Sequence, residues 1–535
     1  MWRTMRPRET GNERPEEKEG TIMNDEGRKE REENKSAQQK MPQEKRPGIA
    51  RPVIPFPVLG GASALYALFY TFCLYRNASG ITYPFFVAGT LFYFSFCTKK
   101  FRVLSGNSGS GRKDALDGLY AGVLLLLGIS VCLTADGKIH LMTKTGIFLL
   151  TVVLVMRQFY RTKEWDFFTW LCRICRSLAE TLSCLDTPFR DGFGWLGERD
   201  RKKKGGRFQA AAIGLLAAIP FLIVILALLI SADAVFSDLL ERAAEGMNLW
   251  NTGGMIALTA LIFVLSYSYM RGLTADLTNA PAPGNGKEKK KYQPVSALAF
   301  TSVTALVYLF FCGIQVAYLF WGKMRLPDGL TWAQYARQGF FQLLFVCLIN
   351  LALVLVCLAA FEESRALRAV LTAISLMTYI MIASSAYRML LYIQNYHLTF
   401  LRLFVLWALG VIALVFAGVI VSIYWKGFPL FAYCTVTVAA LYLLPAFGRP
   451  DYWIARYDIA AMQAGKYDDY GYLSSLSADA APILLDPETA AVWDDTWPFE
   501  SYLDKIQVRT EEMGIRDFNV SRQAAGELAE LWGQE

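Results

Sequence analysis

Arg388, Tyr392, Tyr396, His397, Thr399 and Arg402 crowd into the stretch YRMLLYIQNYHLTFLRL, residues 387–403. Guanidinium groups beside phenol, imidazole and hydroxyl groups make binding chemistry, suited to an anionic group held by charge-assisted hydrogen bonds. They do not make a hydrolytic centre. The only histidines are His140 and His397, which removes H-E-x-x-H chemistry and any histidine-rich metal site, and no G-x-S-x-G elbow occurs. The sequence therefore calls for no catalytic residue, no metal and no cofactor. A second polar stretch, GLTWAQYARQGFFQL (329–343), repeats glutamine every four residues at Gln334, Gln338 and Gln342, with Arg337 between them. Thr331 and Gln334 have capping-box spacing, which predicts a helix starting at Trp332. The glutamine stripe is then either a solvated outer face or a polar lining shared with Gln315.

The elements that carry these residues are set by apolar runs. The chain has 535 residues, 54% of them hydrophobic. Eleven runs are long enough to cross about 30 Å of hydrocarbon: 58–75, 81–97, 115–134, 140–156, 208–231, 253–270, 295–321, 339–360, 369–391, 400–424 and 428–447. The reading is an all-α polytopic membrane protein with about eleven transmembrane helices. Loops at 98–114, 157–207, 271–294, 361–368 and 425–427 hold 25 Lys and Arg, whereas the intervening loops hold eight. The positive-inside rule places the basic set and the N-terminus in the cytoplasm, and so the C-terminus outside the cell membrane. Topology accounts for the basic loops, so no nucleic-acid partner is expected. The lipid bilayer is the expected surrounding, with a cytoplasmic protein partner as a further option.

Five segments follow. Residues 1–57 are a charge-dense arm too poor in apolar residues to fold. Residues 58–156 form a first membrane block of about four helices. Residues 157–207 hold an amphipathic stretch and the basic run RDRKKKGGR, which suit the membrane interface. Residues 208–448 form a second block of about seven helices. Residues 449–535 carry seven Lys and Arg against 17 Asp and Glu, an acidic helical tail. Ten cysteines lie in or beside membrane segments and none in the tail, so no disulfide framework is expected. The sequons at Asn77 and Asn519 carry no weight by themselves.

Residues 366–409 contain neither Gly nor Pro, yet one straight helix through them would run roughly 66 Å, about twice the hydrocarbon thickness. A reversal is predicted near Asn395–Leu398, with Thr399 capping the next helix. Arg388, Tyr392, Asn395 and Tyr396 share one face before the reversal, and Arg402 stands in the first turn after it. Two readings stay open. Tyr and Arg form a belt at the headgroups, or they line a shared polar pocket with Asp233 as counter-charge.

Four stretches resemble signatures of a family of bacterial membrane proteins: LLISADAVF (228–236), GLTWAQYARQGFFQL, RMLLYIQNYHLTFLRL and YLSSLSADAAP (472–482). The resemblance is to domain of unknown function number forty-one seventy-three, close to number forty-one fifty-three, from about residue 210 to the end. It implies a bacterial envelope and many membrane helices, with no established activity. The family pattern has Gly where this chain has His397. Three roles are consistent with these observations: an envelope sensor or scaffold with a polar site at the outer face, a transporter or permease for a small, anionic solute, and, last, an intramembrane enzyme.

Overall fold

The computed structural model describes residues 54–104, 114–202, 249–279, 292–317 and 332–532, apart from positions 78, 161, 163, 164, 467, 494 and 495. At 332–340 only the backbone is described. The helices are α1 (Phe56–Leu74), α2 (Thr82–Leu104), α3 (Ala115–Leu133), α4 (Gly137–Phe159), α5 (Phe167–Ser183), α6 (Thr187–Lys202), α7 (Leu249–Asn279), α8 (Pro294–Val316), α9 (Trp332–Ala360), α10 (Arg365–Tyr396), α11 (Phe400–Tyr424) and α12 (Leu430–Phe447). The tail continues with α13 (Pro450–Gln463), α14 (Tyr470–Ser475), α15 (Ala481–Leu484), α16 (Pro487–Ala490), α17 (Trp497–Glu511) and α18 (Val520–Trp532). No strand forms among the described residues. One isolated bridge, Tyr292 to Phe361, ties the start of α8 to the end of α9.

Nine of these helices are long and apolar enough to cross a membrane, among the described residues. That differs from the eleven runs in two places. The run 81–97 does form a helix, α2, but Tyr, Thr and Ser dilute its apolar character below that of the nine. The run 208–231 lies outside the described residues.

Local sequence explains most helix ends. Asp136 caps α4 by accepting from the Lys138 N–H at 2.8 Å. Asp166 caps α5 through the Thr169 N–H at 2.7 Å, and Ser364 caps α10 through the Leu367 N–H at 3.0 Å. α10 packs against α8, α9 and α11, while α12 packs against α3 and α4 and so joins the earlier helices to the later ones. Buried apolar residues run through both sets, with Leu124, Leu127 and Ile147 in one and Ile374, Phe416 and Val419 in the other. Large apolar side chains also point outward: Leu65 is 72% exposed and Phe310 73%. Such a surface is costly in water and matches a lipid contact.

The tail has its own core, including Ile454, Leu473, Trp493, Phe499 and Tyr502, and Ala135 from the α3–α4 turn inserts into it. It sits on one end of the bundle, against the α1–α2, α3–α4 and α10–α11 turns. At the opposite end α5 lies across α7 and α9, with Trp170 buried and stacked 4.4 Å from Phe431 while Phe168 and Leu171 stay exposed. α6 docks on α7 there through Asp191, which accepts from Tyr267 at 2.9 Å and pairs with Arg271 at 2.6 Å.

Candidate functional site

The chain reverses where no glycine or proline marks it. α10 ends at Tyr396, and His397 takes φ 64° and ψ −171°, a backbone region that suits glycine and strains a side chain. Its ring is held in return: Nε2–H donates to the Lys466 carbonyl at 2.8 Å, and the imidazole lies 6.4 Å from the Tyr457 ring. Thr399 occupies the N-cap position of α11, but its side chain makes no capping bond. The cap comes from the tail instead. Asp458 Oδ1 accepts from the Leu398 N–H at 3.0 Å, and the Tyr472 hydroxyl accepts from the Phe400 N–H at 2.9 Å. Arg402 closes the other side by donating to the carbonyls of Tyr396 and His397, the free C-terminal carbonyls of α10. Its guanidinium also lies 4.2 Å over the Tyr392 ring. Arg402 is thus a brace for the reversal. His397→Gly removes the strain with the hydrogen bond, whereas His397→Ala removes the bond and keeps the strain. Thermal unfolding in detergent is expected to show Ala less stable than Gly by about 1–2 kcal/mol.

Arg388 is elsewhere, eight residues and roughly 12 Å further along the helix axis from Tyr396. It is buried with Gln315 and Ser384: Gln315 Oε1 accepts from Ser384 Oγ at 2.8 Å and from an Arg388 Nη at 3.1 Å. Asn350 donates to Thr378 Oγ1 at 3.0 Å in the same bundle, a pair the sequence did not flag. Gln342 is exposed and joins neither group. Asp233 and Thr331 lie outside the described residues, as do the side chains of Gln334, Arg337 and Gln338. The eleven candidate residues therefore include two separate described groups, a stapled turn (Tyr392, Tyr396, His397, Thr399, Arg402) and an intrabundle triad (Gln315, Ser384, Arg388) that brings in Ser384.

A third polar group was missed in the sequence and is the most densely bonded. Asp479, fully buried, accepts from Thr134 Oγ1, from the Ala135 N–H at 2.8 Å and from Ser521 Oγ. Asn519, also fully buried, donates through Nδ2 to the carbonyls of Ser79 at 3.2 Å, Val131 at 3.2 Å and Thr134 at 2.8 Å. Its Oδ1 accepts from the Ser521 N–H at 3.1 Å and the Arg522 N–H at 3.2 Å. Asn77 donates to the Arg516 carbonyl at 2.7 Å, and Arg516 donates to the Phe72 and Tyr75 carbonyls at 3.0 and 3.3 Å. Both sequon asparagines are therefore committed, buried hinges between tail and bundle. The sequence signals for this junction were the SADAAP stretch, which contains Asp479, and the two sequons, which were given no weight.

Three further carboxylates are buried at the same interface: Asp136, Asp451 and Asp458. One oxygen of each, Asp136 Oδ2, Asp451 Oδ1 and Asp458 Oδ2, has no hydrogen-bond partner. Burial and the neighbouring Asp451 carboxylate push the Asp136 carboxyl up. Burial pushes Asp458 up to about 7, against lowering by the Leu398 N–H and by Arg402. A carboxyl raised on folding binds its proton more tightly in the docked state, so the Asp458 contribution to docking is fully present below about pH 4 and is lost as pH rises through about 7. Hydrogen exchange across the tail is expected to be faster at pH 8 than at pH 5 after correction for intrinsic rates. Asp458→Asn should flatten that difference.

Apolar helices of spanning length, outward apolar side chains and a polar domain stapled to one end define a polytopic helical membrane protein. The chain matches the family described as "Domain of unknown function (DUF4153)" over residues 121–486, and it belongs to that family. This corrects the resemblance in number and extent: the family is 4153, its neighbour being 4173, and the match starts well before residue 210 and stops before the C-terminus. It covers the α3–α4 turn, the α10–α11 turn and Asp479. No curated protein and no solved structure matches the chain.

Proposed function

We propose that the protein is a non-enzymatic envelope sensor or scaffold of the bacterial cell membrane, in which the tail at the outer face sets the arrangement of the membrane helices. The observation that carries this reading is the grip of one domain on three interhelical turns at once. A change felt by the tail reaches α1–α2, α3–α4 and α10–α11 together, because each turn depends on tail groups for backbone hydrogen bonds. The orientation rests on charge: Arg157, Arg173, Arg176, Arg190, Arg365 and Lys426 all lie at the end away from the tail, which suits the cytoplasm. There α5 and α6 offer a surface for a cytoplasmic partner. Arg402 commits one end of its guanidinium, Nη1, to the α10 carbonyls, so it braces the turn.

The test is co-purification from native membranes of the full chain and of a chain lacking residues 167–202, alongside solute uptake by proteoliposomes of the pure protein. Loss of a specific partner in the deletion supports the proposal. Identical partners in both, or solute uptake by the protein alone, sinks it. Transport of a small anionic solute is the second reading, favoured by one observation, the buried Gln315–Ser384–Arg388 triad within the bundle.

A further inference from the structure

A narrow apolar groove of about 250 Å³ lies at the tail end of the bundle, between α4, α11, α12 and α13. Ile139, Leu403 and Trp407 wall it from the bundle, Pro450 and Trp453 from the tail, and no lining side chain is charged. It falls below the roughly 300–1,000 Å³ of sites for compact small molecules. Leu444 in its wall is exposed, as are Leu141 and Leu401 next to lining positions. An apolar surface of this kind opens on hydrocarbon, not on water.

One wall is held by a specific bond. Pro445 sits inside α12 and has no N–H to give the Leu441 carbonyl. Trp407 supplies the donor instead, its Nε1–H bonding that carbonyl at 2.9 Å. The indole is thereby fixed with its polar atom spent. Phe404 stacks on it at 5.4 Å, and Phe400 stacks on Phe404 at 6.3 Å. From Phe400 to Trp407 the three rings make a wall roughly 10 Å long. That shape suits an extended chain.

The mouth supplies the charge. Lys138 Nζ stands 4.7 Å over the Phe400 ring, and the Arg456 guanidinium 5.7 Å over the Trp453 ring. Both side chains are exposed, and neither forms an ion pair among the described residues. The carboxylates nearest to them in sequence, Asp136, Asp451 and Asp458, are all buried. The exposed face of α13 therefore carries Trp453, Arg456 and Tyr457 and no acid, although the tail as a whole is acidic. Trp and Tyr beside Arg are the residues of a helix face at lipid headgroups. We propose that the groove holds one anionic phospholipid from the leaflet on the tail side. One acyl chain lies along the Phe400–Phe404–Trp407 wall, and the headgroup sits at the Lys138 and Arg456 end. A zwitterionic lipid brings no net charge to that end, and a small anion brings no chain to the wall. The lipid touches tail and bundle together, through Trp453 and Trp407.

The experiment uses the full chain, stripped of lipid in detergent and titrated with phosphatidylglycerol, with bound lipid counted by native mass spectrometry. One saturable site is expected, tighter than for phosphatidylcholine with the same chains. Each cation beside a lipid phosphate contributes roughly fivefold, so Lys138→Gln/Arg456→Gln should bind about thirtyfold more weakly. Both side chains are exposed, so this variant keeps the core intact. Leu444→Trp, which fills the groove, should weaken binding as well. If that variant does not fold, the ligand supplies the same test: lysophosphatidylglycerol, with one chain, should bind, and glycerol phosphate, with none, should not. Equal binding of phosphatidylcholine, or unchanged affinity in the double Gln variant, would mean non-selective boundary lipid. Binding of glycerol phosphate as tight as that of the lipid, or full affinity in Leu444→Trp, would mean a charged surface without the groove. Any of these results overturns the proposal.

Discussion

Replacing Asp479 with alanine is expected to release the tail from the bundle. The carboxylate is fully buried and serves three donors: Thr134 Oγ1, the Ala135 N–H and Ser521 Oγ. Thr134 can turn its hydroxyl elsewhere, but the Ala135 amide cannot move without the α3–α4 turn. Each buried donor left unmet costs about 1–3 kcal/mol, so the substitution should cost about 4 kcal/mol. That is close to a thousandfold in the docking equilibrium. Hydrogen exchange of α18 in detergent checks it, with protection falling by two to three orders of magnitude. Asp479→Asn should recover part of the loss, because its amide oxygen still accepts although its NH2 faces donors. Unchanged protection in Asp479→Ala would show that the junction does not hold the tail.

The second large effect is at Asn519, and its sign pattern is more specific. Its NH2 group serves the carbonyls of Ser79, Val131 and Thr134. Asn519→Ala leaves those oxygens without this donor and is expected to cost about 3 kcal/mol. Asn519→Asp, the same shape, should cost more, because it places a carboxylate against three carbonyl oxygens in a buried site. Measured by unfolding in detergent, the order is wild type, Ala, Asp. The reverse order for the two variants would refute the assigned donor direction. The two sites also couple: Ser521 donates its N–H to Asn519 and its hydroxyl to Asp479. The double variant Asp479→Ala/Asn519→Ala should therefore cost less than the two single losses added.

The strained histidine shows how far local sequence could be read. Length alone required a reversal between residues 366 and 409, placed near Asn395–Leu398, while a His where the family pattern has Gly left its position open by a residue or two. The structure puts φ 64° at His397. Thr399 was the natural cap on composition and is not one, because Asp458 and Tyr472 reach the same amides from the tail. Capping rules weigh a residue's own neighbours; they carry no information about a donor or acceptor sixty to seventy positions away. Arg388 and Arg402 were grouped because helical periodicity put them near one reversal. Their partners separated them, one buried on Gln315 and the other bound through Nη1 to backbone carbonyls.

The sequence by itself determined the solvent and the secondary structure. Runs of apolar residues about 20 long have one low-energy state in lipid, the helix, since only it satisfies every backbone polar group internally. Charge asymmetry between loops needed no structure either. Only the tertiary structure decided where polarity was used: that two sequon asparagines are buried hinges and that Asp479 joins tail to turn. Apolar burial scales with area and depends little on which partner provides it, so it is legible residue by residue. Hydrogen bonds depend on distance and angle between groups hundreds of residues apart, and those exist only once the chain is folded.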